Sequence, residues 1–157
     1  MTPSFQLVGI EHEPFESLFL LSDEALREHH AERHIATEHP GYPCRVSLED
    51  ANVGEEVLLL PYLHQPAASP YHASGPIFVR RAAKQRRLAA GEVSSYVSRR
   101  LMSVRAYDKA HRIIAASVCE GMLVAEQLEG YFRMDQVDYI HLHNAQRGCF
   151  FCRVIRA

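Results

Sequence analysis

A chain of 157 residues with 47% apolar and 23% charged residues is long enough to bury a hydrophobic core without a disulfide or a structural metal. We therefore expect a single domain over residues 1–157. The four cysteines are few for a secreted disulfide scaffold, the longest apolar runs are too short to span a bilayer, and the N-terminal segment lacks the basic and apolar regions of a signal peptide. These features predict a cytoplasmic protein that does not contact a membrane.

Charge is unevenly divided along the chain. Residues 1–56 carry 12 acidic and 3 basic side chains, whereas residues 57–157 carry 7 acidic and 14 basic ones, although the net charge is only −2. Either the two parts attract each other, or the C-terminal part binds an anionic ligand. For the chain as a whole we prefer mutual attraction. We consider binding of an anionic ligand only at particular residues of the C-terminal part.

The N-terminal half predicts short strands and one early helix. Phe5–Ile10 suits a strand, and Ser22 followed by two acids is a helix start, from which we expect a helix to run to about His30. Alternating apolar residues predict a strand over Gly41–Leu48, and the apolar run Val57–Tyr62 predicts a buried strand.

A proline-rich connection and an ambiguous segment follow these strands. Residues 64–76 contain three prolines and predict a loop that is too long for a tight hairpin. Pro76–Arg80 begins another strand. Residues 81–99 favour neither helix nor strand.

The C-terminal third has the clearest pattern. Strand and helix periodicities follow the order ββαββ, and a five-residue turn over 144–148 closes the last hairpin. Because strands outnumber helices and their connections are short, we predict an α+β fold with a mainly antiparallel sheet and a few short helices. The predicted elements are strands at Leu101–Tyr107, Arg112–Val118, Val137–His143 and Cys149–Ile155, and a helix at Gly121–Phe132.

The last hairpin carries most of the reactive side chains, and its register decides which of them lie together. The predicted partners are His143 with Cys149, His141 with Phe151, and Tyr139 with Arg153. The second face of the hairpin is nearly all apolar, so we expect it to face the core and to make Cys152 an inert core thiol. The residues of this second face are Ile140, Leu142, Phe150, Cys152 and Val154.

The first face of this hairpin is the candidate ligand-binding site. If the strand Leu101–Tyr107 lies beside the hairpin, the polar residues of that strand join the same concavity. Guanidinium and imidazole groups together suit a carboxylate or a phosphate, because the guanidinium fork binds oxyanions bidentately. The same alternation is also typical of the solvated outer face of an antiparallel sheet. The candidate ligand-binding residues are Arg105, Tyr107, Tyr139, His141, His143 and Arg153.

Three functions compete for these residues. The first is binding of a small anionic metabolite, which demands least of the geometry. The second is an enzyme with Cys149 as its nucleophile and His143 as the base. The third is a metal protein that uses His141 and His143. Its further ligand would be Cys149, Cys44 or His64.

We rank anion binding first and assign no cofactor and no metal. Cys149 and Cys152 are three residues apart, so on a regular strand they point to opposite faces and do not share a zinc ion. The basic run from Arg80 to Arg87 has no interleaved aromatic residues, and we therefore do not expect nucleic acid as a partner. We expect this run to form a solvated loop that docks on the acidic N-terminal part.

Several separate stretches resemble one protein family. They are Gly41–Ala51, Ser69–Val79, Arg105–Asp108, and Tyr139–Ala145 with Gly148 and Cys149. In this order they are similar to an uncharacterised bacterial family, domain of unknown function 1203. The resemblance implies a bacterial, single-domain protein. It implies no activity, cofactor or catalytic residue.

Overall fold

The computed structural model describes residues 4–157, so residues 1–3 of the segment searched for a signal peptide lie outside it. Strand residues outnumber helical ones, at about 38% against 19%, which confirms the α+β class. No helix in the described range is long and apolar enough to cross a membrane.

The strands are β1 (Phe5–Val8), β2 (Glu32–Ile35), β3 (Pro43–Cys44), β4 (Glu49–Asp50), β5 (Glu56–Gln65), β6 (Ala73–Arg80), β7 (Leu101–Tyr107), β8 (Ile113–Glu120), β9 (Tyr139–Asn144) and β10 (Phe150–Arg156). The helices are α1 (Glu13–Glu16), α2 (Asp23–Arg27), α3 (Ser95–Ser98) and α4 (Val124–Phe132), with 3-10 turns at Ser17–Leu20 and Gly121–Leu123.

The strands form two five-stranded sheets. In sheet 1 the order is β1-β10-β9-β7-β8, and in sheet 2 it is β2-β5-β6-β3-β4. Within residues 4–157 the strand pairs are antiparallel except for β3 with β6. Along the chain β7, β8, α4, β9 and β10 follow one another, and all four of these strands belong to sheet 1.

Helical segments cover one face of each sheet. The residues of α4 that pack on sheet 1 recur at helical spacing, and they are Val124, Leu128 and Phe132. On sheet 2, the side chains of Leu58, Leu60, Ile77 and Val79 pack with Phe15, Phe19 and Leu26 from the N-terminal helical segments. Burial of these apolar faces is the main driving force for folding.

Three predicted elements end earlier than the sequence indicates, and the first is β1, which ends at Val8 rather than Ile10. The helix α2 begins as predicted after Ser22, whose side chain caps it, but it ends at Arg27 rather than near His30. The backbone of His30 has a left-handed φ of 56°, which terminates the helix. Within residues 41–48 only β3 forms, because the N–H of Leu48 bonds back to the last carbonyl of β3 at 3.0 Å and closes a turn.

The strands β5 and β6 are longer than predicted. They shorten the loop expected over residues 64–76 to residues 66–72. Pro61 and Pro76 are register partners in this pair, and a non-hydrogen-bonded pair of strand residues needs no N–H donor. The extension of β5 to Gln65 brings its last residues over sheet 1.

The register predicted for the last hairpin is wrong, because β10 contains a β-bulge. His143 pairs with Phe150 and His141 pairs with Arg153, so neither histidine has its predicted partner. Phe151 is the extra residue between these two pairs. It turns into the core of sheet 1, whereas Phe150 points to the opposite face and contacts both histidines. The faces predicted for the two phenylalanines are therefore exchanged.

Arg45, which follows β3 in sheet 2, holds this bulge. Its Nε donates to the carbonyl oxygen of Phe150 at 2.8 Å and its Nη1 to that of Pro43 at 2.6 Å. Its guanidinium lies 5.0 Å from the ring centroid of Phe151, and the hydroxyl of Tyr96 donates to the Phe151 carbonyl at 3.0 Å. Side chains thus pair both bulge carbonyls, and the buried Arg45 joins the two sheets.

Ion pairs join the basic run to the acidic N-terminal part. The pairs are Arg80 with Glu49 and Glu55, Arg81 with Glu56, and Arg86 with Glu49. This arrangement supports mutual attraction between the two parts of the chain. Arg87, the last residue of the run, has no carboxylate partner among residues 4–157.

Replacement of Arg45 by methionine tests its role at the bulge. We expect Arg45→Met to lower the free energy of unfolding by about 1–3 kcal/mol, because a buried carbonyl loses its donor. Denaturant unfolding followed by circular dichroism measures the change. Arg133→Met makes the same substitution at an exposed position and should stay within about 0.5 kcal/mol of the unsubstituted protein. Equal stability of the two variants would contradict the role of Arg45.

Candidate functional site

A cleft of about 550 Å³ lies where sheet 2 meets sheet 1. Its walls are the end of β5, the neighbouring strands β9 and β10, and the chain that leaves β1. The volume is in the range of small-molecule binding sites in proteins. The lining side chains with polar or aromatic groups include Tyr62, His64, Arg87, Tyr139, His141 and Arg153.

Three histidines and one phenylalanine pack ring against ring at this cleft, and we call His64, His141, His143 and Phe150 the histidine cluster. His141 and His143 share a face of β9 because they are two residues apart on a strand. The ring centroid of His64 lies 4.9 Å from that of His143 and 6.2 Å from that of His141. Phe150 stacks on His64 at 5.4 Å. His143 is 1% exposed and packs against the other rings without lining the cleft.

Hydrogen bonding fixes the tautomer of His143. Its Nδ1 lies 2.9 Å from the carbonyl oxygen of Gly148, so Nδ1 carries the proton and Nε2 keeps a lone pair. Among residues 4–157, this Nε2 has no hydrogen-bond partner, and neither has Nδ1 of His64 or of His141. Buried polar atoms are nearly always paired. The cluster therefore has hydrogen-bonding capacity that the described residues do not use.

Burial keeps the histidine cluster neutral. Desolvation, reinforced by the neighbouring histidines and arginines, lowers the pKa of His141 to about 2. Desolvation also lowers the pKa of His143 to about 3. Burial, followed by the charge of Arg105, lowers the pKa of His64. At neutral pH these rings supply polar nitrogen atoms and no charge.

A chain of hydrogen bonds orients His111 where it lines the cleft. The N–H of Ala67 donates to Oε1 of Gln65 at 3.2 Å and fixes the amide. Nε2 of Gln65 donates to the hydroxyl of Tyr139 at 2.9 Å, and this hydroxyl is hydrogen-bonded to Nδ1 of His111 at 2.7 Å. The left-handed φ of 60° at His111 belongs to the turn between β7 and β8.

Two arginines give the cleft a positive charge. The guanidinium of Arg153 lies 4.9 Å from the ring centroid of Tyr139, and Arg87 lies on the segment that pairs with β1. Neither has a carboxylate partner in the described part of the chain. Among the described lining residues, Glu11 is the one acid. The charge of the two guanidinium groups therefore exceeds that of the one carboxylate, and the net charge of these three side chains is positive.

The predicted ligand-binding residues lie close to one another, but not all of them line the cleft. The strand β7 lies beside β9, and Arg105 is the register partner of His141. Tyr139, His141 and Arg153 line the cleft. Tyr107 is buried and stacks on Tyr139, with ring centroids 5.0 Å apart. It supports a cleft residue and does not line the cleft itself.

Sequence reasoning missed four residues that line the cleft. Tyr62 and His64 continue the alternation of Leu58 and Leu60 on one face of β5, so extending that strand in the sequence would have found them. His64 entered only as a possible metal ligand. Arg87 and His111 carry no comparable pattern, because contacts between distant segments bring them to the cleft.

The two alternative sites are not assembled in the described residues. Cys149 Sγ accepts a hydrogen bond from Nη2 of Arg45 at 3.4 Å, whereas Nδ1 of His143 bonds to Gly148, so no hydrogen bond joins the predicted nucleophile to its base. Over residues 4–157, no group of three or more His, Cys, Asp or Glu side chains is arranged to hold a metal ion. Of the three hypotheses, anion binding is the one for which the cleft supplies suitable side chains, the arginines Arg87 and Arg153.

Comparison with known proteins identifies the family. The family model described as protein of unknown function (DUF1203) matches residues 41–156. The chain belongs to this family. No curated protein and no solved structure matches the chain. The residues matched to DUF1203 contain the histidine cluster, Arg87, His111 and Arg153, whereas the cleft wall that leaves β1 precedes them.

Burial of neutral histidines predicts a loss of stability in mild acid. The unfolded chain protonates its histidines below the ordinary pKa of 6.5, whereas the folded pKa is about 2 for His141 and about 3 for His143. The unfolded state binds more protons in this window. Stability is therefore complete above the ordinary pKa and falls as the pH decreases, by up to about 1.4 kcal/mol per pH unit for each histidine.

Denaturant unfolding at about pH 7.5 and about pH 5 measures this dependence. The double variant His141→Gln/His143→Gln should lose most of it, because glutamine does not titrate. His29→Gln, at an exposed position, should retain it. An unchanged pH dependence in the double variant would show that the two rings are not the source.

Cys149 and Cys152 should differ in reactivity. Cys152 lies in the core of sheet 1 as predicted, 1% exposed, and burial raises the pKa of its thiol to about 12. Cys149 is partly exposed and contacts Arg45. Brief alkylation of the native protein should therefore modify Cys149 well before Cys152, as mapped by peptide mass spectrometry. Both should react in denaturant, and equal labelling of the native protein would contradict the assigned faces.

Proposed function

We propose that the protein binds a small organic anion in the cleft between its two sheets. The observation that carries this proposal is Arg153, an exposed residue that lines the cleft and has no carboxylate partner among residues 4–157, and whose register partner His141 lines the same cleft. Guanidinium groups bind carboxylate and phosphate oxygens in pairs of charge-assisted hydrogen bonds. A neutral imidazole beside it accepts or donates one more hydrogen bond without adding charge.

Orientation of the polar groups before binding supports the same function. The ring of Tyr139 holds the guanidinium of Arg153 through a cation–π contact. The same residue, through its hydroxyl, holds the ring of His111 by a hydrogen bond. Groups that are already oriented lose less conformational entropy when a ligand binds, which increases affinity.

Apolar surface in the cleft accommodates the carbon skeleton of an organic anion. Ile10, Phe15 and Phe150 line the cleft together with the ring of Tyr62. Small-molecule sites commonly combine an apolar lining with a few placed polar groups. An inorganic anion alone would leave this surface unused.

The test is a thermal-shift titration with citrate, benzoate, ribose 5-phosphate and phenyl phosphate. At least one of these anions should raise the unfolding temperature in a saturable manner. Arg153→Gln should weaken that binding by about 10- to 100-fold, which corresponds to a charged hydrogen bond worth about 1.5–3 kcal/mol.

Arg133→Gln is the matched control, because it removes the same charge from an exposed position after α4. Its effect on binding should stay within about twofold, since surface charges far from a site are screened by salt. Absence of binding by all four anions, or equal binding by the two arginine variants, would overturn the proposed function.

A further inference from the structure

Arg87 and Arg153 flank the same residue of β1. Val8 is the register partner of Arg153 on one side and forms a bridge with Arg87 on the other. Two backbone hydrogen bonds, at 2.8 and 3.0 Å, close the bridge on either side of Val8 and Arg87. Directly opposed residues of antiparallel strands project from the same face. Both arginine side chains therefore start on the cleft side of Val8.

The spacing of these arginines suits one shared anion. Neighbouring strands lie about 4.8 Å apart, so the two backbones are about 10 Å apart across β1. Both arginines line the cleft, and an arginine side chain is long enough to cover about half of this separation, so the two side chains can converge on one oxyanion. Val8 itself lines the cleft between them.

Charge favours a dianion at this position. Neither Arg87 nor Arg153 has a carboxylate partner among residues 4–157, whereas Arg80, Arg81 and Arg86 are paired. A phosphate monoester carries a charge of about −1.5 to −2 at neutral pH and three acceptor oxygens. A carboxylate has one charge and two oxygens, so it satisfies only one guanidinium fork fully.

Aromatic rings occupy another wall of the cleft. Tyr62 and His64 lie on one face of β5 and are only partly buried. Their ring centroids lie 6.0 and 5.4 Å from that of Phe150, which belongs to the histidine cluster and also lines the cleft. Rings held in place in this way are suited to stacking on a flat ligand. Tyr62 and His64 line the same cleft of about 550 Å³ as Arg87 and Arg153.

We propose that the ligand is a phosphate monoester that carries a planar ring, with its phosphate between Arg87 and Arg153 and its ring against Tyr62 and His64. This inference rests on the proposed function, because it names the class of anion for the same cleft. Nucleoside monophosphates and aryl phosphates belong to this class.

Isothermal titration calorimetry with six probes tests the proposal. The ring-bearing phosphates are phenyl phosphate, adenosine monophosphate and uridine monophosphate. Ribose 5-phosphate lacks the planar ring, adenosine lacks the phosphate, and benzoate replaces the phosphate by a carboxylate. At least one ring-bearing phosphate should bind about 10-fold or more tightly than each of the three comparison probes, because ribose 5-phosphate loses the stacking contact, adenosine loses the contacts to the arginines, and benzoate satisfies only one guanidinium fork.

Variants test which residues bind the phosphate and which residue contacts the ring. Arg87→Gln and Arg153→Gln should each weaken binding of the ring-bearing phosphate by about 10-fold or more, whereas Arg133→Gln should leave it unchanged. Tyr62→Ala should weaken the ring-bearing phosphate and leave ribose 5-phosphate unaffected. Unchanged binding of ribose 5-phosphate also shows that the Tyr62 variant is folded.

The outcomes separate this inference from the proposed function. Tighter binding of benzoate than of every phosphate, with loss in Arg153→Gln, would overturn the phosphate assignment and leave anion binding intact. Equal binding of ribose 5-phosphate and the ring-bearing phosphates would overturn the ring assignment. Absence of binding by every anionic probe would overturn both proposals.

Discussion

The contact between Arg45 and the bulge of β10 is the constraint on which the cleft depends. An extra residue in a strand leaves backbone groups without partners, and a buried unpaired carbonyl costs about 1–3 kcal/mol. Arg45 pairs the Phe150 carbonyl and packs over Phe151. It thereby stabilises the one local conformation in which Phe151 enters the core and Phe150 joins the histidine cluster. The same side chain connects sheet 2 to sheet 1, which positions the end of β5 over β9.

Some arginines of the protein form ion pairs that stabilise the fold, whereas others line the cleft. Arg80, Arg81 and Arg86 pair with acids from the N-terminal part and hold the basic run on sheet 2. Arg87 and Arg153 line the cleft instead. The three histidines between the sheets remain neutral, because burial disfavours their charged form. The cleft thus combines positive charge at its wall with neutral polar atoms in the cluster.

Part of the site was predictable from the sequence, and the limits of the prediction have specific causes. Alternation along β7 and β9 correctly placed Arg105 beside His141, because period-two patterns on adjacent strands carry over to the sheet. The same reasoning failed for Phe150 and Phe151, because no local pattern marks a bulge. It also ended β5 at Tyr62, since the prolines and polar residues that follow are typical of loops. His64 was consequently separated from the histidines that it contacts.

The sequence by itself determined the α+β class, the helix start at Ser22 and the core position of Cys152. Each of these depends on side-chain chemistry and periodicity within a few neighbouring residues. Only the tertiary structure determined the position of the bulge, the packing of the histidine cluster and which arginines line the cleft. Arg45 is 105 residues from Phe150. Contacts of this kind depend on how distant segments share one core, and no local pattern of residues encodes them.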